Sequence, residues 1–390
     1  MAVLSYRKVI LIKRSSMMKE PVVTVFVTVY NIEEYLDRFF ECLLTQTMPD
    51  FEALIIDDGS ADNTLSICKK YAEKDERIRI MSLDHIGISA ARNIALQNIH
   101  TEFAASMDGD DFYDKDYLKH MLDAQQKYNA DYVISNVIYL NEDHSERWRF
   151  DYREEGFYTK ESFPDLLPEL FSEERLTYLF GKLFRTELLR GISVEEDVKT
   201  GSDIIINCQY VLKADNLAVI EDYDSYNVKY NSRSVTSYRG DDYFFRHNRI
   251  TRYVNDCMES NGMLSDSMCR VLDKRTFLMG RNALNNFCRQ KISIDQMCEK
   301  AAVVIGSEEY KNAYERERRL GNLDSFGSEI IVAPGKEADY IDLRLTVRTE
   351  EKENRRKEKL LALCPDFLFR IYHKAKIRLG LIPPDTDKQQ

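Results

Sequence analysis

Phe51–Ile56 (FEALII) runs directly into Asp57-Asp58-Gly59-Ser60, and Phe103–Met107 (FAASM) runs directly into Asp108-Gly109-Asp110-Asp111. Each is a short apolar run closed by Asp, Gly or Ser, the residues that favour turns and caps. The same unit recurs on either side. Val22–Tyr30 reads as a buried strand, and the stretch after it sets Tyr35, Leu36, Phe39, Phe40, Leu43 and Leu44 on one helical face. Asn31, with Glu34 three residues on, is expected to cap that helix. Ile78–Ser82 leads through a loop at Gly87 into a helix around Ala90–Leu96, and a helix around Tyr117–Tyr128 precedes a strand Tyr132–Tyr139. Short β-branched runs alternating with helices predict an α/β fold, Rossmann-like, with a mostly parallel sheet flanked by helices.

Working outward, residues 1–16 read as a basic N-terminal tail and 17–236 as the α/β domain, its first half 17–130 and its second half 131–236. Residues 237–349 read as a helical annex, and 350–390 as a basic amphipathic C-terminal segment. In that last segment Cys364, Phe367, Leu368, Ile371, Tyr372, Ala375 and Leu379 share one helical face, with Arg370, His373, Lys374 and Lys376 on the other. Such a helix either lies on an anionic membrane surface or packs its apolar face on the annex. The 390 residues carry a formal net charge of -11, which argues against nucleic acid as the main ligand. With 44% apolar and 31% charged residues, the composition is that of a folded chain. The eight cysteines include no C-x-x-C pair and are expected as reduced thiols of a cytoplasmic protein. No apolar run is long enough to span a bilayer, and Val9–Ile12 is too short for a secretory signal.

In open α/β sheets ligands bind beyond the carboxyl ends of the strands. Two such ends are acidic here, so the fold is expected to bring Asp57, Asp58, Asp108, Asp110 and Asp111 to one rim. Carboxylates crowded in this way cost stability unless a cation offsets them. Oxygen donors without His or Cys favour Mg²⁺ or Mn²⁺ over zinc, with the diphosphate of a nucleotide completing the shell.

The segment Val22–Leu122 resembles family 2 glycosyltransferases of the GT-A fold. The resemblance is carried by Thr28-Val29-Tyr30-Asn31, Asp57-Asp58-Gly59-Ser60, Gly87-Ile88-Ser89-Ala90-Ala91-Arg92-Asn93 and the D-x-D motif Asp108-Gly109-Asp110. It implies that Thr28 and Tyr30 line the base and ribose pocket, that Asp58 accepts a hydrogen bond from uracil, and that Asp57 supports its loop. It also implies that Asp108 reaches the ribose or the metal shell, that Asp110 coordinates the metal, and that Arg92 adds a cation near the nucleotide. Downstream, Asp203 matches the family's catalytic base, with Ser202 where an acidic residue is usual; Glu195, Glu196 and Asp197 are the next candidates. Gly181-Lys182-Leu183-Phe184-Arg185 resembles a further family segment whose role the sequence does not disclose, and Tyr230, Arg233 and Ser234 match an element near the diphosphate.

By resemblance, the reaction is inverting transfer from a UDP-sugar to a hydroxyl acceptor. The acceptor implied is a lipid-linked saccharide of capsule, exopolysaccharide or teichoic-acid synthesis, reached by a cytoplasmic enzyme peripheral to the inner face of the membrane. Two other classes stay open. A non-catalytic sugar-nucleotide binding module accommodates Ser202, and a nucleotidyltransferase would share the core but calls for a Gly-rich basic loop where Val29-Tyr30-Asn31 stands.

Overall fold

The computed structural model describes residues 8–10, 20–140, 146–149, 155–228 and 240–321. Strands β2 (Val23–Val29), β3 (Phe51–Asp57), β4 (Ile78–Ser82) and β5 (Phe103–Ser106) form a parallel block in the order β4-β3-β2-β5. Their residues are apolar on both faces because both faces are covered. Val23, Val25, Val27 and Val29 pack with helices α1 (Glu33–Leu44), α2 (Thr64–Ala72) and α4 (Tyr117–Tyr128), through Leu36, Phe39, Phe40, Cys68, Tyr71 and Met121. Phe26, Leu54 and Ile56 point the other way, into a second core shared with α3 (Ile88–Gln97) and α5 (Phe163–Ser172). Helix α7 (Ser202–Lys213) closes that second core; the short α6 (Thr186–Leu189) precedes it in the chain.

Beyond β5 the sheet is mixed. Strand β10 (Lys182–Arg185) lies antiparallel between β5 and β7 (Tyr132–Leu140), and β11 (Asn216–Val228) then runs parallel to β7. The small strands β6 (Phe112–Tyr113) and β9 (Gly156–Thr159) pair antiparallel with β11, and β8 (Glu146–Arg149) with β7. On the far edge Lys8–Ile10, within the segment expected as a tail, forms β1 antiparallel to β4.

The expected cap of α1 is corrected. Asn31 sits in the left-handed region at φ 51, Ile32 is the N-cap residue, and neither side chain caps the helix. The first amides are instead met by the loop after β3: Ile32 N–H donates to Thr64 Oγ1 at 2.9 Å and Glu33 N–H to Asp62 Oδ2 at 3.2 Å. Asn31 faces the same loop, its Oδ1 accepting from Ala61 N–H at 2.8 Å. A four-residue pattern implied a local cap; a loop about thirty residues away supplies it.

The chain divides into two compact units, Met1–Met279 and Gly280–Gln390. Helix α8 (Tyr243–Ser260) belongs to the first, placing Ile250, Val254 and Met258 in the same core as α7, so the helices after residue 237 begin inside the sheet domain's unit. Helix α9 (Asp266–Phe287) follows. In the second unit α10 (Ile294–Ile305) starts with a Ser293/Gln296 capping box, and α11 (Glu308–Arg319) with Ser307 accepting from Tyr310 N–H. Tyr230, Arg233, Ser234 and everything after residue 321, including the amphipathic C-terminal segment, lie outside the described residues.

Candidate active site

The carboxyl ends of β2, β3 and β4 build one end of the site. Asp57 is fully buried, accepting from Ser60 N–H at 3.3 Å and from the Ser82 hydroxyl at 3.3 Å. Asp58 accepts from the backbone amides of Ile86 (2.7 Å) and Gly87 (3.0 Å), and so ties the loop after β4 to the end of β3. Between them Gly59 has φ +71, and a Cβ there would lie 2.6 Å from the backbone nitrogen of His85. That close approach sets His85 against Asp58, its Nδ1 3.3 Å from Oδ2. It also stacks the imidazole on Tyr30, ring centroids 4.3 Å apart. Thr28 and Tyr30, two residues apart, leave β2 on one side of the sheet. Tyr30 is 43% exposed, so its open face is free to receive a flat ring. The sequence identified Tyr30 and Asp58 but not His85, whose only signal was its place two residues before Gly87.

The Asp108–Asp111 turn forms the centre. Asp108 N–H donates to the Tyr113 hydroxyl at 2.8 Å, and Arg38 Nη2 to the Asp110 carbonyl at 3.1 Å. Gly109 lets the turn sit on the end of β2: a Cβ would meet Ile32 Cδ1 at 2.8 Å and Val29 Cγ1 at 3.2 Å. Asp111 is buried. Burial, and then the neighbouring charge of Asp110, pushes Asp108 up to about 7, and burial likewise raises Asp110. Two carboxylates pressed toward their neutral forms are what an oxygen-coordinated cation would relieve. Among the described residues no three His, Cys, Asp or Glu side chains cluster so as to hold a metal unaided. The pair Asp108 and Asp110 therefore fits Mg²⁺ or Mn²⁺ only with phosphate or water oxygens filling the rest of the shell.

The far side is built by α3 and α7. Arg92 forms a two-pronged ion pair with Asp203, Nη1 to Oδ1 at 2.5 Å and Nη2 to Oδ2 at 3.2 Å, and Nη1 also donates to Ser202 Oγ at 2.5 Å. Ser202 is fully buried. With a neutral hydroxyl at that position, the guanidinium is left to one carboxylate, Asp203. Ser89 Oγ donates to the Val198 carbonyl at 2.5 Å, and Asn93 exchanges hydrogen bonds with the Val194 backbone at 2.7 and 2.9 Å. The polar residues of the Gly87–Asn93 stretch thus fasten the segment that carries Asp203. Arg92, expected beside the nucleotide, has Asp203 as its direct partner, and its charge also reaches Asp108. Of the alternative bases, Glu195 and Asp197 pair with Arg249 and are over 70% exposed.

Lys182 is the residue the sequence left without a role. It is 2% exposed, on β10 between β5, which leads into the Asp108 turn, and β7, which carries Tyr132, and Nζ donates to the Phe180 carbonyl at 2.8 Å. Burial, then the charge of Arg175, drives it down to about 7 against the opposing pull of Asp203 and Asp108. A lone lysine in an apolar strand pattern carries no signal of this in sequence. A surface cleft lies between the segment just before α7 and the start of α8, lined by Asp197, Val198, Lys199, Thr200, Arg249 and Ile250 among others; neither Asp203 nor the rim carboxylates line it.

Residues 24–191 match the family described as glycosyl transferase family 2. The chain is 25% identical over 317 residues to glycosyltransferase GlyA of Streptococcus pneumoniae, which covers 75% of this chain and 44% of GlyA. It is 26% identical over 264 residues to the putative glycosyltransferase EpsH of Bacillus subtilis, covering 67% of this chain and 72% of EpsH. This chain therefore spans less than half the length of the first of these relatives. In structure it is similar to residues 1–349 of S. aureus TarS, crystallised with UDP, at a TM-score of 0.60 and 21% identity over 84% of this chain and 91% of that one. The likeness establishes the GT-A fold.

Proposed function

Because residues 24–191 match the glycosyl transferase family 2 model, we propose that this protein transfers a sugar from a UDP-sugar to a hydroxyl acceptor, with inversion, in the synthesis of a cell-surface polysaccharide on a lipid-linked saccharide. The observation that carries the reading is the pairing of Asp203 with Arg92 across from the Asp108–Asp110 turn. It sets one carboxylate, held by a guanidinium, apart from two that burial presses toward their neutral forms. The UDP in the TarS crystals supports the nucleotide.

In this reading the uracil stacks on Tyr30 beside His85, with Thr28 and the loop held by Asp57 and Asp58 closing the base and ribose pocket. A Mg²⁺ or Mn²⁺ ion on Asp110, with Asp108 beside it, would neutralise the charge that develops on the departing diphosphate. Asp203 takes the proton of the acceptor hydroxyl as that oxygen bonds to the anomeric carbon. The bond from this carbon to the diphosphate oxygen breaks, and its electron pair leaves on UDP. Each Asp203 oxygen receives one hydrogen bond from Arg92 and keeps a lone pair for the acceptor proton.

Asp203→Asn tests the assignment. Transfer is expected to fall on the order of 10²–10⁴-fold, the range for loss of a general base, with UDP affinity little changed. Near-normal transfer by the variant would remove Asp203 from the chemistry. A wild-type protein that binds UDP yet turns over no UDP-sugar would favour the binding-module reading instead.

A further inference from the structure

The loop after β4 carries a histidine that no sequence motif announces, and the turn after β3 fixes it in place. His85 adopts φ 55, a region in which Asn, Asp and His are the best tolerated residues after glycine. Its backbone nitrogen lies so close to Gly59 that a Cβ there would stand 2.6 Å from it. The amides of the next two residues, Ile86 and Gly87, donate to the Asp58 carboxylate at 2.7 and 3.0 Å. The backbone at and after the imidazole is thereby set.

The ring is set as well. Nδ1 stands 3.1 Å from the Asp58 carbonyl oxygen and 3.3 Å from Oδ2. A carbonyl oxygen can only accept, which assigns the hydrogen to Nδ1. Held at that atom, the imidazole lies at 16° to the Tyr30 ring with centroids 4.3 Å apart, although the His85 side chain is 56% exposed. Tyr30, one residue past the end of β2 and itself exposed, would without that stack be free to change rotamer. The imidazole covers one face of the phenol ring and leaves a ligand the other.

We propose that His85 is a positioning residue for the nucleotide base: it backs Tyr30, holds that ring in one plane, and so prepares the opposite face for uracil. The inference rests on the UDP-sugar reading above and deepens it. A base on that face lies across the phenol ring from His85, about twice the 4.3 Å spacing away and out of hydrogen-bond reach. His85 therefore acts through Tyr30 and bonds no atom of the base. What it removes is the cost of ordering an exposed side chain at the moment the nucleotide binds.

The test is calorimetry of the full chain with UDP and Mg²⁺, for wild type, His85→Asn, Tyr30→Ala and the double variant. Asparagine suits the φ of position 85 and places an amide N–H where Nδ1–H stands, so the variant folds, keeps the bond to Asp58 and loses only the ring. His85→Asn is expected to weaken UDP roughly 3- to 10-fold, the scale of one aromatic stack and one ordered side chain. In the Tyr30→Ala background it is expected to weaken UDP no further. An equal loss in both backgrounds would mean that His85 acts on the nucleotide independently of Tyr30, and would overturn the proposal. Unchanged or tighter binding by His85→Asn would overturn it too, the tighter result placing the base on the face that the imidazole covers. If Tyr30→Ala binds UDP as the wild type does, or the wild type binds none, the base-pocket reading itself fails and takes the inference with it.

Discussion

Asp108 is the residue whose ionisation links stability to ligand binding. Burial and Asp110 hold it at about 7 in the folded chain against an ordinary value of 3.8. The folded state therefore keeps a proton that the unfolded state has lost, so the contribution of Asp108 to stability falls as pH rises from the ordinary carboxylate range to about 7, and is level above it. Cation binding needs the ionised form, so metal-supported UDP affinity should rise across the same interval. Thermal melting of the metal-free protein from pH 5 to 8 checks the first statement, and Asp108→Asn should flatten the decline. A wild-type decline equal to that of the variant would remove Asp108 as its source. Among individual residues, Asp57, Asp58, Asp108 and Asp110 were legible because acid at a strand end has no apolar excuse. Lys182 and His85 were not, since their surroundings come from strands and loops remote in sequence. The direct partnership of Arg92 with Asp203 spans 111 residues and leaves no local trace.

At the scale of elements, the parallel block β4-β3-β2-β5 and the helices between its strands follow from periodicity, and their observed bounds lie within a residue or two of those expected. What the sequence hid are the pairings that local pattern does not encode. Strand β10 is only four residues long and runs against both neighbours. Strand β1 is three residues joined to β4 across the edge, and the α1 cap comes from residues 62 and 64. Helix α8 lies in the stretch expected as a helical annex, and nothing local shows that it joins the core of the sheet domain. The β3–α2 turn gives a prediction at this scale. Gly59→Ala must place a Cβ at φ +71 against the His85 backbone, so a loss of roughly 1–3 kcal/mol is expected from strain in this region. The Tyr30–His85 stack should shift with it, weakening UDP binding in calorimetry. Unaltered melting and unaltered affinity would mean the turn adapts without disturbing the base pocket.

For the whole molecule, the rim and the helix pair opposite it are two halves of one functional reading. The Gly87–Asn93 stretch belongs to both: Ser89, Arg92 and Asn93 hold the segment from Val194 to Asp203, while Gly87 is held by Asp58. Among the described residues no helix is long and apolar enough to cross a membrane. In the proposed function a lipid-linked acceptor is met at the bilayer surface, for which the basic segment 350–390, outside the described residues, is the candidate. Co-sedimentation with anionic liposomes should fall when the chain is ended near Glu350, and unchanged binding would remove that segment as the membrane contact. In the proposed function the Asp108–Asp110 turn receives the diphosphate of a UDP-sugar through a divalent cation. The most direct measurement of this is UDP release by the purified protein across a panel of UDP-sugars, with Mg²⁺ or Mn²⁺, with EDTA, and with Asp110→Asn. At least one UDP-sugar should be turned over in the presence of metal, and that turnover should vanish both in EDTA and in the folded variant. Equal UDP release with and without metal, or undiminished release by Asp110→Asn, would contradict the account.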